Sequence, residues 1–429
     1  MPGRLSVFDR AELATDVGPS PRNVAVLLVL AGPVPDVGLV RERIARAVAR
    51  EPRLAERVRR CRLAEPVWER CPVDLAHHVR VRVAPGADPV AVAVEDLLRP
   101  MPPGRPPWRL TIVDLADQER SALVWTSGHV LGNGPSILGL LLDCLVDPSA
   151  AVASRSPGRR PSTASGHDGR GRVGPAGRSP LVQPVTAGLT AVPVSVDVDD
   201  LRAGAHACGA TVNDALLWAW GCAFRRADAA RGGHGERVVI SVPATVPGSR
   251  FGNEVGALRV AVTEPEGCPA ERPAELARHT RHVKRHVRPW TWPVAATGAV
   301  LARRLGMLPT MLRRQRLIST VVTYAPGPPE PLRVLGTPVV GVVPLVPVVG
   351  NVTTLVAATS IGGRLYAAVV CSPESADLAG SLADDLAARL RVVASIGARQ
   401  AAEVGRDPVA VSEARSRART RPDGTMRGW

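Results

Sequence analysis

The stretch RSALVWTSGHVLGNGPSILGLLLDCL, Arg120 to Leu145, sets a single histidine between two apolar runs. SALVWTS reads as a buried strand, a short apolar run bounded by turn residues, and ILGLLLDCL reads as an apolar helix. Between them His129 sits among Gly128, Gly132, Asn133 and Gly134, small residues that let backbone or substrate come close. On this local pattern a packed or turn histidine and a catalytic base are both open.

Working outward, NVAVLLVLAG (Asn23 to Gly32) reads as a buried strand, and VRERIARAVAREPRLAERV as a helix that Pro52 interrupts or ends. HVRVRVAP alternates, which puts Val79, Val81 and Val83 on one strand face. PVAVAVEDLLRP follows as a helix and WRLTIVDLAD as a strand, joined to SALVWTS by the turn at Asp117 to Arg120. Residues 149 to 183 are Ser, Gly, Pro and Arg with almost no large apolar side chain, a composition expected of a disordered linker. Beyond it the chain restarts with a strand, a helix, and a second helix capped by Thr211 or Asn213. RVVISVPATV and GALRVAVTEP read as strands, ARHTRHVKRHVR as a basic helix, and a run of strands with a Gly362-Gly363 hairpin turn precedes a last amphipathic helix, Ser375 to Ile396. Two α+β halves are expected: 1 to 148 and 184 to 398, with a disordered basic tail over 399 to 429.

Composition narrows the function. The formal charge is +15, with a single Lys, Lys284, beside many Arg, so individual Arg-based motifs carry little information. No nucleic-acid motif or aromatic interleaving accompanies that charge, so no nucleic-acid partner is expected. Seven scattered Cys without C-x-x-C spacing, and no signal-peptide pattern, suit a reducing cytoplasm. The longest apolar candidate, PVVGVVPLVPVVGNVTTLVAATSI, is broken by three prolines and two glycines, so no spanning segment is expected. Nucleophile-elbow, P-loop, dinucleotide and H-E-x-x-H patterns are absent. His77-His78 should point to opposite faces, one packed and one solvated. His279, His282 and His286 share a helical face, but Arg278, Arg281, Lys284 and Arg285 would oppose a divalent cation, so no metal is expected. Trp290 and Trp292 could dock on a membrane or lipid-droplet surface, or belong to a helix that covers the core.

The order of segments resembles the bacterial wax ester synthase/diacylglycerol acyltransferase family, in the superfamily with an H-H-x-x-x-D-G motif and two chloramphenicol-acetyltransferase-like domains. LSVFDRAELATDVGPSPRNVAVLLVL, VWERCPVDLAHHVR, RPPWRLTIVDL, TVNDALLWAWGCAFRR, FGNEVGALRVAV and VVTYAPGPPEPLRVLGTPVVGVVPLVPVVG are each similar to a family segment. The resemblance runs from about Leu5 to Ile396 and implies an active-site tunnel between the halves. GHVLGNG aligns with the motif, which puts Gly128 at the first His, His129 at the second, the superfamily's general base, and Asn133 at the Asp. Asn213 and Asp214 match the family's Asn-Asp. Tyr324-Ala325 replaces Asn-Val before Pro326-Gly327-Pro328, and Val246-Pro247 stands where an Arg is usual.

The resemblance implies acyl transfer from a long-chain acyl-CoA to diacylglycerol or a fatty alcohol, without a cofactor. It assigns Gly128, Gly132, Asn133, Gly134, Asn213 and Asp214 to motif support, and Trp108, Pro326, Gly327 and Pro328 to the tunnel or its loops. Backbone N–H groups of Gly132 or Asn133 are candidate oxyanion donors. The expected location is cytoplasmic, with peripheral contact at the inner membrane face or lipid inclusions. The departures keep two other readings open: a non-catalytic lipid-binding scaffold, and an acyltransferase with another donor or acceptor.

Overall fold

A computed structural model describes residues 3–60, 64–116, 119–148, 173–234, 237–245, 253, 255–262, 277, 278, 280 and 291–406. Two six-stranded sheets carry the fold. The first contains β2 (Asn23–Ala31), β5 (Val79–Val83), β6 (Trp108–Asp114), β7 (Arg120–Gly128), β12 (Arg333–Val334) and β13 (Thr337–Leu345), in the order β12-β13-β2-β7-β6-β5. The second contains β8 (Thr190–Asp197), β9 (Val238–Thr245), β10 (Val255–Val262), β11 (Thr320–Pro326), β14 (Thr354–Ile361) and β15 (Arg364–Cys371), in the order β10-β9-β11-β14-β15-β8. A small ribbon of β1 (Gly3–Arg4), β3 (Glu56–Arg59) and β4 (Val67–Arg70) stands beside the first sheet.

Apolar runs determine which strands lie inside. β2 and β7 pair antiparallel from Asn23 opposite Gly128 to Ala31 opposite Arg120, and both are buried almost end to end. One face of this pair meets α2 (Val37–Arg50) and α5 (Gly134–Leu145), where Leu28, Leu30, Leu123 and Trp125 pack with Ile44 and Leu141. The other face, through Leu27, Val124 and Val343, packs with Leu355, Ala368 and Val370 of the second sheet and with α4 (Pro89–Leu98). The sheets therefore share a core, and the ends of β7 and β11 come to one place. β5 is an edge strand: Val79 is buried, but Val81 and Val83, on the same face, are exposed.

The remaining helices are α1 (Val7–Thr15), the single turn α3 (Leu75–His78), α6 (Val198–Ala207), α7 (Val212–Ala230), α8 (Thr291–Arg304), α9 (Leu308–Arg314) and α10 (Ala379–Arg406). Pro52 does end α2; the chain continues as a short 3-10 turn and then β3. α7 is buried around most of its circumference, with Trp220 Nε1 donating to Thr320 Oγ1 at 3.0 Å. Gly362 and Gly363, both at positive φ, close the β14–β15 hairpin.

Three boundaries differ from the sequence reading. Residues 173–183 are not free linker: Leu181 is fully buried, Ala176 N–H donates to Arg316 O, and Val182 bridges to Val352. Ala176, Leu181 and Val182 supply the apolar contacts that dock this piece on the second half. Residues 149–172 lie outside the described region. The second half is not confined to its own sheet, because β12 and β13 leave it and complete the first sheet, where Leu345 pairs with Ala25. Finally, α10 runs to Arg406, past the expected boundary at 398, while 407–429 lie outside the described residues.

Candidate active site

His129 opens a 3-10 turn, His129–Leu131, directly after β7. Main-chain bonds fix it: its N–H donates to Arg22 O at 2.8 Å, and the Gly128 N–H donates to Pro107 O at 2.8 Å. Val130 and Leu131 anchor the turn in the core. Asn253, itself buried, reaches across from the second half, its Nδ2 donating to Val130 O at 3.1 Å and to Asp9 Oδ1 at 3.3 Å.

The imidazole is about four-fifths buried, with a side-chain exposure of 21%. Its Nδ1 lies 3.5 Å from Glu12 Oε2, and that same oxygen accepts from Arg22 Nη2 at 2.6 Å. Burial pushes the His129 pKa below its ordinary value, Glu12 pulls it up, Arg22 presses it down, and smaller raising contributions come from its own carbonyl and the Asn253 amide. The net result is a neutral imidazole at pH 7. Burial pushes the Glu12 carboxyl up, but the Arg22 charge and hydrogen bond together with His129 outweigh it, so its pKa ends below the usual carboxylate range.

Two cavities meet at this histidine. One, of about 550 Å3, is lined by five arginines (Arg22, Arg57, Arg59, Arg60 and Arg105) against two acids, Glu12 and Asp16. Several of these arginines are already paired: Arg57 and Arg59 with Glu69, Arg105 with Asp74. The other, of about 450 Å3, is largely apolar and lies between the two sheets, with Val24, Val26 and Ile137 on one side and Val321, Tyr324 and Leu355 on the other. Glu12, Arg22 and His129 line both. A neutral imidazole thus faces a basic compartment and an apolar one at once.

The other expected site residues divide. Asn133 is buried and caps α5, its Oδ1 accepting from Ser136 N at 3.0 Å. It makes no ion pair among the described residues, and Val246 and Pro247 lie outside them. Asn133 and Gly134 also line the apolar cavity. Of the three glycines, Gly132 is the tight one: an added Cβ would lie 3.0 Å from Ser136 Cβ, whereas at Gly128 and Gly134 it would make only ordinary contacts. The Gly132 N–H already donates to His129 O at 3.3 Å. Asp214 belongs to a capping box with Thr211 that starts α7, and neither it nor Asn213 lines either cavity. Thr211, not Asn213, is the cap.

Trp108 does not line the space at His129. It is buried between His78 (ring centroids 4.3 Å) and Trp125 (5.2 Å), with Nε1 donating to Leu54 O at 2.8 Å. The apolar strand run around it pulls the indole into the core. His78 is packed beneath it, its Nδ1 bonded to Trp108 O at 2.7 Å and its pKa pushed down to about 4 by burial, while His77 is partly exposed. Pro326, Gly327 and Pro328 sit at the end of β11, outside both cavities. Gly327 is there because a Cβ would come 2.6 Å from Ile361 Cγ1. Thr323, Tyr324 and Ala325, just before Pro326 on β11, do line the apolar cavity, and Tyr324 Oη is bonded to Ser360 Oγ at 2.8 Å.

Trp292 packs against the second core, its ring lying where a Cβ on Gly256 would be, which is the core-covering reading. Trp290, His279, His282, His286 and Lys284 lie outside the described residues. Among the described residues no group of three or more His, Cys, Asp or Glu could hold a metal, and no helix is long and apolar enough to cross a membrane. Sequence reasoning missed Glu12, Arg22 and Asn253. All three lie far from His129 in sequence, and no local pattern ties them to it.

Comparison with known proteins identifies the family and the fold. The profile of the wax ester synthase/diacylglycerol acyltransferase catalytic domain matches residues 5–193, and that of the WS/DGAT C-terminal domain matches residues 251–393. A Mycobacterium tuberculosis protein, named provisionally as a diacylglycerol O-acyltransferase, is 26% identical over 393 residues, which cover 76% of this chain and 77% of that one. Among solved structures, the wax ester synthase/diacylglycerol acyltransferase from Marinobacter aquaeolei VT8 superposes with a TM-score of 0.68 at 20% identity, over 92% of this chain and all of that one. The starter condensation domain of rhizomide synthetase, in complex with C8-CoA, superposes with a TM-score of 0.64 at 14% identity, over 92% of this chain and 95% of that one.

Proposed function

Because the chain belongs to the wax ester synthase/diacylglycerol acyltransferase family, we propose that it transfers a long-chain acyl group from acyl-CoA to the hydroxyl of diacylglycerol or a fatty alcohol, with His129 as general base. The observation that carries the reading is the position of His129, a neutral imidazole where a basic compartment and an apolar one meet. The arginine-lined side suits the phosphates of CoA. The apolar side suits hydrocarbon, and its walls come from both halves of the fold.

His129 Nε2 removes the proton from the alcohol as its oxygen bonds to the thioester carbon. The tetrahedral oxyanion collapses, the C–S bond breaks, and the CoA thiolate takes the proton from the imidazolium, which restores the neutral base. The backbone N–H of Asn133, at the start of α5, is the candidate oxyanion donor, since the dipole there favours negative charge. Holding both substrates against one imidazole supplies much of the remaining rate.

The purified protein is expected to release CoA from palmitoyl-CoA when hexadecanol or diolein is added. No acyl transfer from any acyl donor to any alcohol would favour the second reading, a lipid-binding scaffold, which is motivated by a neutral helix-capping Asn133 where the resemblance implies an aspartate. Turnover confined to another donor or acceptor would keep the chemistry and change the substrate.

A further inference from the structure

We propose that Glu12 is the positioning residue for His129, and that Arg22 holds it there. This rests on His129 being the general base. Glu12 lies on α1, far from the histidine in sequence, yet its Oε2 approaches Nδ1 to 3.5 Å. Nδ1 is buried and makes no hydrogen bond, and the Glu12 carboxylate, 3.5 Å away, is the charged acceptor toward which an Nδ1–H would turn. Contacts of this kind are commonly too long or misaligned for a hydrogen bond without substrate and tighten in the reacting complex.

Arg22 makes the arrangement specific. Its guanidinium donates to Glu12 Oε2, while its backbone carbonyl accepts the N–H of His129 itself. One residue therefore fixes both the main chain of the base and the carboxylate facing its ring. α1 is set in turn by its Ser6–Asp9 capping box and by the Asn253 bond to Asp9. Arg22, Glu12 and neutral His129 sum to no net charge at rest. As the ring takes up the substrate proton, Glu12 stabilises the imidazolium at close range and Nε2 is kept as the proton-accepting nitrogen.

The charged groups facing the ring are Glu12 and Arg22, and the polar ones are its own carbonyl and the Asn253 amide. The test is NMR of the ring nitrogens in histidine-labelled full-length protein, alongside the pH profile with palmitoyl-CoA and hexadecanol. Wild-type His129 should be protonated on Nδ1. In Glu12→Gln the ring should lose that single tautomer and its pKa should fall, moving the acid limb to lower pH. kcat should drop about ten- to a hundredfold, part of the ~10²–10⁴ a positioned base supplies, with KM for palmitoyl-CoA little changed. Glu12→Asp should restore part of kcat, and Arg22→Met should move the limb the opposite way, to higher pH. An unchanged tautomer and an unchanged limb in Glu12→Gln would overturn the proposal and leave the carbonyl of His129 as the orienting group. Full activity in His129→Ala would instead defeat the general-base reading beneath it.

Discussion

At the scale of the residue, His129 is defined by what surrounds it more than by the motif it stands in. The resemblance implies a histidine at the position of Gly128 and an aspartate at that of Asn133; in the structure Asn133 caps α5. What acts on the ring is burial, Glu12 and Arg22. Their balance has a pH consequence. A base with a depressed pKa is neutral and competent above that pKa, and its protonation on acidification removes the rate. kcat/KM should therefore be flat through pH 7 and fall only below the ordinary histidine value of about 6.5. An acid limb at or above that value would show that the ring is not in this environment. The histidine itself was legible, because a strand, a glycine-rich loop and a helix flank it in sequence. Glu12 and Arg22 were not, because their relation to it is made by folding α1 and the start of β2 against the end of β7.

At the scale of the element, local rules identified most strands and helices, and tertiary packing decided their roles. Trp108 opens β6, and alternation alone could not tell whether it faced a tunnel or the core. Stacking between His78 and Trp125, with its indole N–H satisfied by Leu54 O, settles that it is a packing residue. Trp108→Phe should cost roughly 1–2 kcal/mol from the lost hydrogen bond and the space left behind, while kcat stays near wild type. Thermal unfolding and steady-state kinetics on the same preparation check both halves of that statement; a kinetic loss without a stability loss would return Trp108 to the site. Asp214 follows the same logic, since its place in a family-like pair reflects the capping box that begins α7.

At the scale of the whole molecule, composition marked the division into halves but not the exchange between them. β12 and β13 belong by sequence to the second half, yet they finish the first sheet, and the two sheets share a buried core. No periodicity announces which sheet a strand will join. Opening the chain at a protease site engineered between residues 149 and 172 should leave both pieces together in gel filtration under native conditions, and separate elution would contradict the shared core. The apolar cavity lies across that junction, so the site exists only when both halves are present. Acyl transfer with His129 as its base is tested most directly by mass-spectrometric identification of the lipid formed from palmitoyl-CoA with hexadecanol or diolein, for wild type and His129→Ala at equal protein. The expected result is an alcohol-dependent ester from wild type and a loss of about 10²–10⁴ in rate for the variant. Equal product from both proteins would contradict it.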